Sequence, residues 1–416
     1  MNMLYKEEKH PQKTLDLLKI GVETLNFFPP MYIQSILGPA YTWVIPPRKN
    51  SEFTILDIWK PIETLRYIRD ITVPAVPHEP PNLLRVLFPD FINRFFWRPS
   101  TFFQQPDQHD SVRSFPDEHW FFINGIATNK DVSKMNTDCL ATIFHRPITA
   151  IQNATSSTIL DLVECAVGKE YKVKPNINHP GTMTEPALKA AVAILTALET
   201  PETKRVVLIA HSQGTIITAN VLRAVTRALE QCKKTDGLEE LTGQLIGKVK
   251  TEELKEINYA FKSILFQFFD EDNDESGSSE SKVLKKLKKL EIYTFANCAN
   301  TMKYVDEKQQ IPRIESFGNE KDLVSRLGML SPELNKPDGL VTIDGAMYVN
   351  DTPWNKKHSC WGHLLNQHYL FAVDDYLSNS ANQPTDNPYH LKKCQQGQYQ
   401  AMPRLYQYFH GGTPTE

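Results

Sequence analysis

Residues 205–215 read Arg-Val-Val-Leu-Ile-Ala-His-Ser-Gln-Gly-Thr. The apolar run Val206-Val207-Leu208-Ile209 has the length and β-branching of a strand covered on both faces. After Gly214, apolar residues recur at helical spacing through Ile216, Ile217, Val221, Leu222, Val225, Ala228 and Leu229. The turn between them reads small-x-Ser-x-Gly, with Ala210 and Gly214 flanking Ser212. A serine at such a strand-to-helix elbow is forced into a strained backbone conformation, and its neighbours must be small because strand and helix pass close together. In return the hydroxyl stands clear of the sheet, beside the first N–H of the helix. That is the geometry of an activated nucleophile. The pentapeptide alone arises by chance in roughly a third of chains this long, and it reads equally well as a turn with a serine N-cap. Its position, where a buried strand hands over to an amphipathic helix, favours the nucleophile.

On either side of the elbow, strands alternate with helices. His119 to Asn124 reads as a buried strand ending at Gly125, and residues 148–154 as another. Helices are expected near 157–167 and over 186–199, separated by the Pro175–Pro180–Gly181 loop; the elbow helix should reach about Lys233. Further strands are expected at Leu290 to Ala296, Ile314 to Phe317 and within Leu340 to Val349, with a helix from about 363 to 377. This pattern predicts an α/β fold with a mostly parallel, doubly wound sheet.

Three regions break the alternation. Residues 1–115 are rich in proline and aromatics and read as a helical and extended region that packs on or caps the core. Within them, residues 82–98 interleave an apolar face with Arg85, Arg94 and Arg98; a helix pair packed on the core is favoured over a lipid-facing surface. Residues 234–290 form an insertion in the α/β domain, which spans 116–380. The insertion holds amphipathic segments, the polar run 270–280 and a short lysine-rich helix at 282–289. Asp272, Asp274, Ser276 and Gly277 resemble the start of a calcium loop, but its twelfth position is Val283, which cannot ligate, so a solvated loop is expected. Residues 381–416 are a polar and aromatic tail.

Composition narrows the function. The chain has 416 residues, is 41% hydrophobic and carries a net charge of −3, which argues against nucleic acid as the main partner. Cys139, Cys165, Cys232, Cys298, Cys360 and Cys394 are scattered and form no zinc-type cluster, so no metal is expected. The N-terminus lacks the order of a secretory signal, and the apolar stretch 27–47 is broken by Pro29, Pro30 and Pro39; a cytoplasmic protein, with membrane association through the N-terminal region as a further reading, is expected.

A serine hydroxyl needs a base to take its proton, and the base needs an orienting group. In a doubly wound sheet these groups follow the carboxyl ends of strands. Asp322 follows the strand ending at Phe317, with Glu320 as the alternative; a helix N-cap is the competing role for Asp322. His363, after Gly362, is favoured as base over His358 and His368. It is expected to begin a helix whose positive end keeps its ring neutral. Oxyanion donors would be the backbone N–H of Gln213 and one from the loop after the early strand, Ile126 first and Gly125 second.

Asn124-Gly125, Ala210-His211-Ser212-Gln213-Gly214, Asn319-x-x-Asp322 and Gly362-His363 occur in the chain order of an α/β-hydrolase. Over residues 118–377 the chain resembles that superfamily, nearest its lipase-like intracellular branches. The resemblance implies an eight-stranded sheet, a Ser-Asp-His triad, acyl transfer to water and no cofactor. It departs from the family pattern at Ala210 in place of the first elbow glycine, at Asn-Gly where many lipases have His-Gly, and in the long insertion. The expected activity is a serine hydrolase cleaving carboxylic esters, with an apolar acyl chain suggested by the aromatic N-terminal region. Thioesterase, peptidase and acyltransferase chemistry use the same residues. The competing reading is a non-catalytic lipid-binding or scaffold protein that keeps the fold.

Overall fold

The computed structural model describes residues 37–38, 47–55, 102–105, 114–125, 128–153, 183–231, 237–246, 252–270, 279–337, 339, 341–379, 381, 383–393 and 402–415. The segment 82–98, the helix expected near 157–167, the loop that follows it to residue 182 and residues 271–278 of the polar run lie outside these.

Eight strands form one sheet: β1 (Phe102–Gln105), β2 (Glu118–Ile123), β3 (Ile148–Ile151), β4 (Arg205–His211), β5 (Leu290–Phe295), β7 (Arg313–Asn319), β9 (Ala346–Asn350) and β10 (Tyr389–Lys393). Their spatial order is β1-β3-β2-β4-β5-β7-β9-β10. The two edge strands, β1 and β10, are antiparallel to their neighbours, and the rest are parallel. The expected α/β architecture with a mostly parallel sheet is what forms. Both edges come from outside residues 116–380. A separate two-stranded parallel pair joins β6 (Thr301–Met302) to β8 (Thr342–Ile343).

Period-two side-chain alternation splits the core across the sheet. From β4, Val206, Leu208 and Ala210 enter one buried cluster, and Val207 and Ile209 the other. The first cluster is closed by α2 (Glu185–Glu199), α3 (Gln213–Gln231), α4 (Gly237–Leu245), α5 (Glu252–Asp270) and α6 (Ser279–Leu287). The second is closed by α1 (Lys130–Phe144), by the helix ending at Ser378 and by the segment Arg404–Gly411. Each fully buried Leu, Ile, Val or Phe stabilises the fold by about 1.5–3 kcal/mol, so a strand buried on both faces holds the centre of the sheet firmly.

Three expected elements differ in detail. The strand expected within 340–349 is two, because Gly345 turns the chain at φ +95° and lies so close to Ile314 that a Cβ would stand 2.2 Å from its carbonyl oxygen. The strand expected over 148–154 ends at Ile151, and Asn153 instead bonds the end of β2. The helix expected from 363 begins at Leu365 as a π-helical turn, Leu365–Leu370, continuing as Phe371–Ser378. Among the described residues no helix is long and apolar enough to cross a membrane.

At the amino ends of the central strands lies a buried ionic cluster. Fully buried Arg146 donates to Glu118 at 2.9 Å and to the Gly412 carbonyl at 2.8 Å, and Arg205 donates to Glu118 at 3.1 Å. Glu291 accepts from Arg404, Tyr293 and Tyr408. Charges this deep survive only when paired and hydrogen-bonded, so the C-terminal segment completes the cluster.

Candidate active site

The register brings the carboxyl ends of the central strands level: Ile123 lies opposite Ala210, His211 opposite Phe295, and Phe295 opposite Phe317. Ser212 therefore emerges at the middle of the sheet's carboxyl rim. Its φ is +55°, the left-handed region that costs a side-chain-bearing residue strain. Its backbone is held by its N–H donating to the Phe295 carbonyl at 3.0 Å and by its carbonyl accepting from the Thr215 hydroxyl at 2.7 Å. Gly214 is required by close approach: a Cβ there would stand 2.3 Å from the Ile123 carbonyl oxygen. Helix α3 thus starts hard against the end of β2, as the small-residue rule anticipates.

Ser212, His363 and Asp322 meet. The Ser212 Oγ is 3.0 Å from His363 Nε2, and His363 Nδ1 is 2.9 Å from Asp322 Oδ2. A carboxylate can only accept, so Nδ1 carries the proton and Nε2 is left to accept from the serine hydroxyl. Although the hydroxyl clears the sheet, it does not reach the surface: Ser212 and Asp322 are fully buried, and His363 is partly exposed.

Asp322 fills both roles weighed for it. Its Oδ1 caps the helix α7 (Leu323–Leu327) by accepting from the Val324 N–H at 2.9 Å, while Oδ2 accepts from His363, from Tyr369 at 2.5 Å and from Ser325 at 3.2 Å. The alternative carboxylate, Glu320, faces Lys321 at the surface.

His363 does not begin a helix, and its ring is not held neutral by one. Burial disfavours its charged form, but the Asp322 carboxylate more than offsets this, so its pKa lies above the ordinary value. The other two histidines are engaged elsewhere. His358 pairs with Asp375 at 2.7 Å. His368 accepts the Leu364 N–H at 3.0 Å, and burial pushes it down to about 3.

On the oxyanion side, Gln213 is the first residue of α3, where a backbone N–H has no intrahelical acceptor. Ile126 lies outside the described residues. Gly125 abuts Ser212: a Cβ there would stand 2.5 Å from the Ser212 Cβ. Side-chain amides tie the loops together. Asn124 accepts from the Asn153 N–H at 2.8 Å, and the Asn153 amide donates to the Gln213 side chain at 2.6 Å.

Several residues that shape the site take roles that sequence reasoning did not assign. Tyr369 holds Asp322 from a helix 47 positions on. Asn319 donates to the carbonyls of Gly362 and His368 at 3.1 and 3.2 Å. Glu52 accepts from the N–H groups of Asn366 and Gln367 at 2.7 and 3.0 Å, so it caps the turn that follows the histidine. Burial pushes the Glu52 carboxyl up to about 7, even against those two donors.

Cys139, Cys298 and Cys360 are buried. Among the described residues no group of three His, Cys, Asp or Glu side chains is placed to hold a metal ion. No family model matches the chain, and neither a curated protein nor a solved structure matches it.

Proposed function

We propose that the chain is a serine hydrolase of α/β-hydrolase type that cleaves carboxylic esters, with lipid-like acyl esters as the substrate class. The observation that carries this reading is the line from Ser212 Oγ through His363 to Asp322, with contacts of 3.0 and 2.9 Å. His363 Nε2 takes the hydroxyl proton as Oγ bonds to the ester carbonyl carbon. The imidazolium, stabilised by Asp322, then gives that proton to the departing alcohol as the C–O bond breaks. Water repeats the sequence on the acyl-enzyme. The Gln213 N–H and a donor from the loop after β2 receive the oxyanion. The strand order, with parallel strands between antiparallel edges, and the strained elbow support the same assignment. A buried site strengthens each of these charge contacts by excluding water. Apolar acyl specificity, and membrane contact through residues 1–115, rest on the composition of that region alone.

A fluorophosphonate probe tests the nucleophile. Wild-type protein is expected to be labelled at Ser212 and Ser212→Ala to remain unlabelled; labelling that persists in the variant would refute the mechanism. An ester series of increasing chain length then reads the acyl preference.

A further inference from the structure

His363 lies in irregular backbone, between Gly362 at φ +105° and the turn starting at Leu365, so no regular structure fixes it. Instead, three successive backbone groups are held by side chains from three elements. Asn319 of β7 donates to the Gly362 carbonyl, and His368 accepts from the Leu364 N–H. Between them, His211 Nε2 lies 2.9 Å from the His363 carbonyl oxygen. A carbonyl only accepts, so Nε2 of His211 carries the proton and Nδ1 is bare. The two imidazoles are also stacked, with centroids 4.7 Å apart and planes 29° apart. Behind the stack the ring is wedged: Nδ1 has no hydrogen-bond partner, and a Cβ on Gly125 would stand 3.1 Å from it.

We propose, on the serine-hydrolase reading, that His211 is a positioning residue for the base: its N–H bond to the His363 carbonyl and its stacked face hold the His363 imidazole in line with Ser212 and Asp322. A residue that only filled space would need neither a donor nor a flat ring. The charge state fits the role. Burial, and then the neighbouring His363, depress the His211 pKa well below its ordinary value, so the ring stays neutral. When His363 takes up the serine proton, its new charge meets an uncharged aromatic face. The other titratable groups around His363 are Asp322, Tyr369, His368, Cys298 and Glu52. None of these five stacks on its ring; among the described residues that contact is made by His211.

The test is the fluorophosphonate labelling rate against pH, per folded molecule, for wild type, His211→Phe and His211→Gln. Phe keeps a flat ring without the donor, and Gln returns an N–H without the ring. His211→Phe is expected to label about ten- to a hundredfold more slowly, the loss typical of a slightly misplaced group. Its pH inflection should also fall toward the ordinary imidazole value, because a ring free to turn loses part of its Asp322 contact. His211→Gln should fall between the two, and it carries the test if the Phe variant does not fold. A variant that labels at the wild-type rate with the wild-type inflection, whatever its melting temperature, overturns the role of His211 and leaves the hydrolase reading intact. Wild-type protein that is not labelled at Ser212 overturns both.

Discussion

At the scale of single residues, the proposed chemistry depends on Asp322 and on the sign of one shift. His363 must be neutral to accept a proton, and its pKa is raised above 6.5 once Asp322 has offset the effect of burial. Labelling of Ser212 should therefore be weak in acid and rise with pH through an inflection above 6.5; an inflection at or below that value would contradict the assignment. Asp322→Asn removes the charge that stabilises the imidazolium, and it should slow labelling by about a thousandfold or more. A loss of less than tenfold would mean that Asp322 serves as a helix cap and nothing else. Gly214→Ala forces a Cβ into the Ile123 carbonyl, a backbone group that cannot swing aside. It should lower the melting temperature and the labelling rate together, and a variant with wild-type values for both would refute the close-approach account. Ser212, Asp322 and His363 were legible in the sequence because each follows a strand and carries a recognisable residue type. His211, Tyr369 and Asn153 were not. Their roles exist only in contacts spanning 29 to 152 positions, such as Asn124 to Asn153 and His211 to His363, and no local pattern encodes these.

At the scale of elements, the central strands were legible for a plain reason: strands buried on both faces read as apolar runs, as β2 does from Trp120 to Ile123 and β4 from Val206 to Ala210. What escaped was structure whose stability comes from elsewhere. Helix α1 is fixed by the Asn129 cap and by packing against β3 and the C-terminal segment. The π-helical turn after His363 is held by Glu52, more than 300 positions earlier. This clamp has a pH signature. Glu52 is raised from 4.5 to about 7, so the folded chain keeps a proton that the unfolded chain releases between those values. Stability from this group is complete below about pH 4.5 and is lost as pH rises through 7, by about 3 kcal/mol. His363 and Cys139 are the titratable groups coupled to it. Urea unfolding at pH 5 and pH 8 should show that drop in wild-type protein and not in Glu52→Gln; equal pH dependence in the two would rule out the carboxyl as its source.

At the scale of the whole molecule, the two ends of the sheet do different work. The carboxyl ends gather Ser212, Asp322 and His363, and the amino ends hold the paired charges around Glu118 and Glu291. The C-terminal segment belongs to the second group, although its polar and aromatic composition gave no hint of this. A chain ending at residue 401 would lose the buried side chains of Leu405, Tyr406 and Tyr408 and leave Glu291 without two of its donors. It should lose on the order of 5 kcal/mol of stability, and a truncated protein that melts with the full chain would refute the account. The order of residues along the chain also governs when the proposed site could become reactive. During synthesis Ser212 leaves the ribosome 151 positions before His363, so a nascent chain displays that hydroxyl without the His363 acceptor. On the serine-hydrolase reading, arming waits for the late arrival of one imidazole, and a half-built protein is unable to attack an ester.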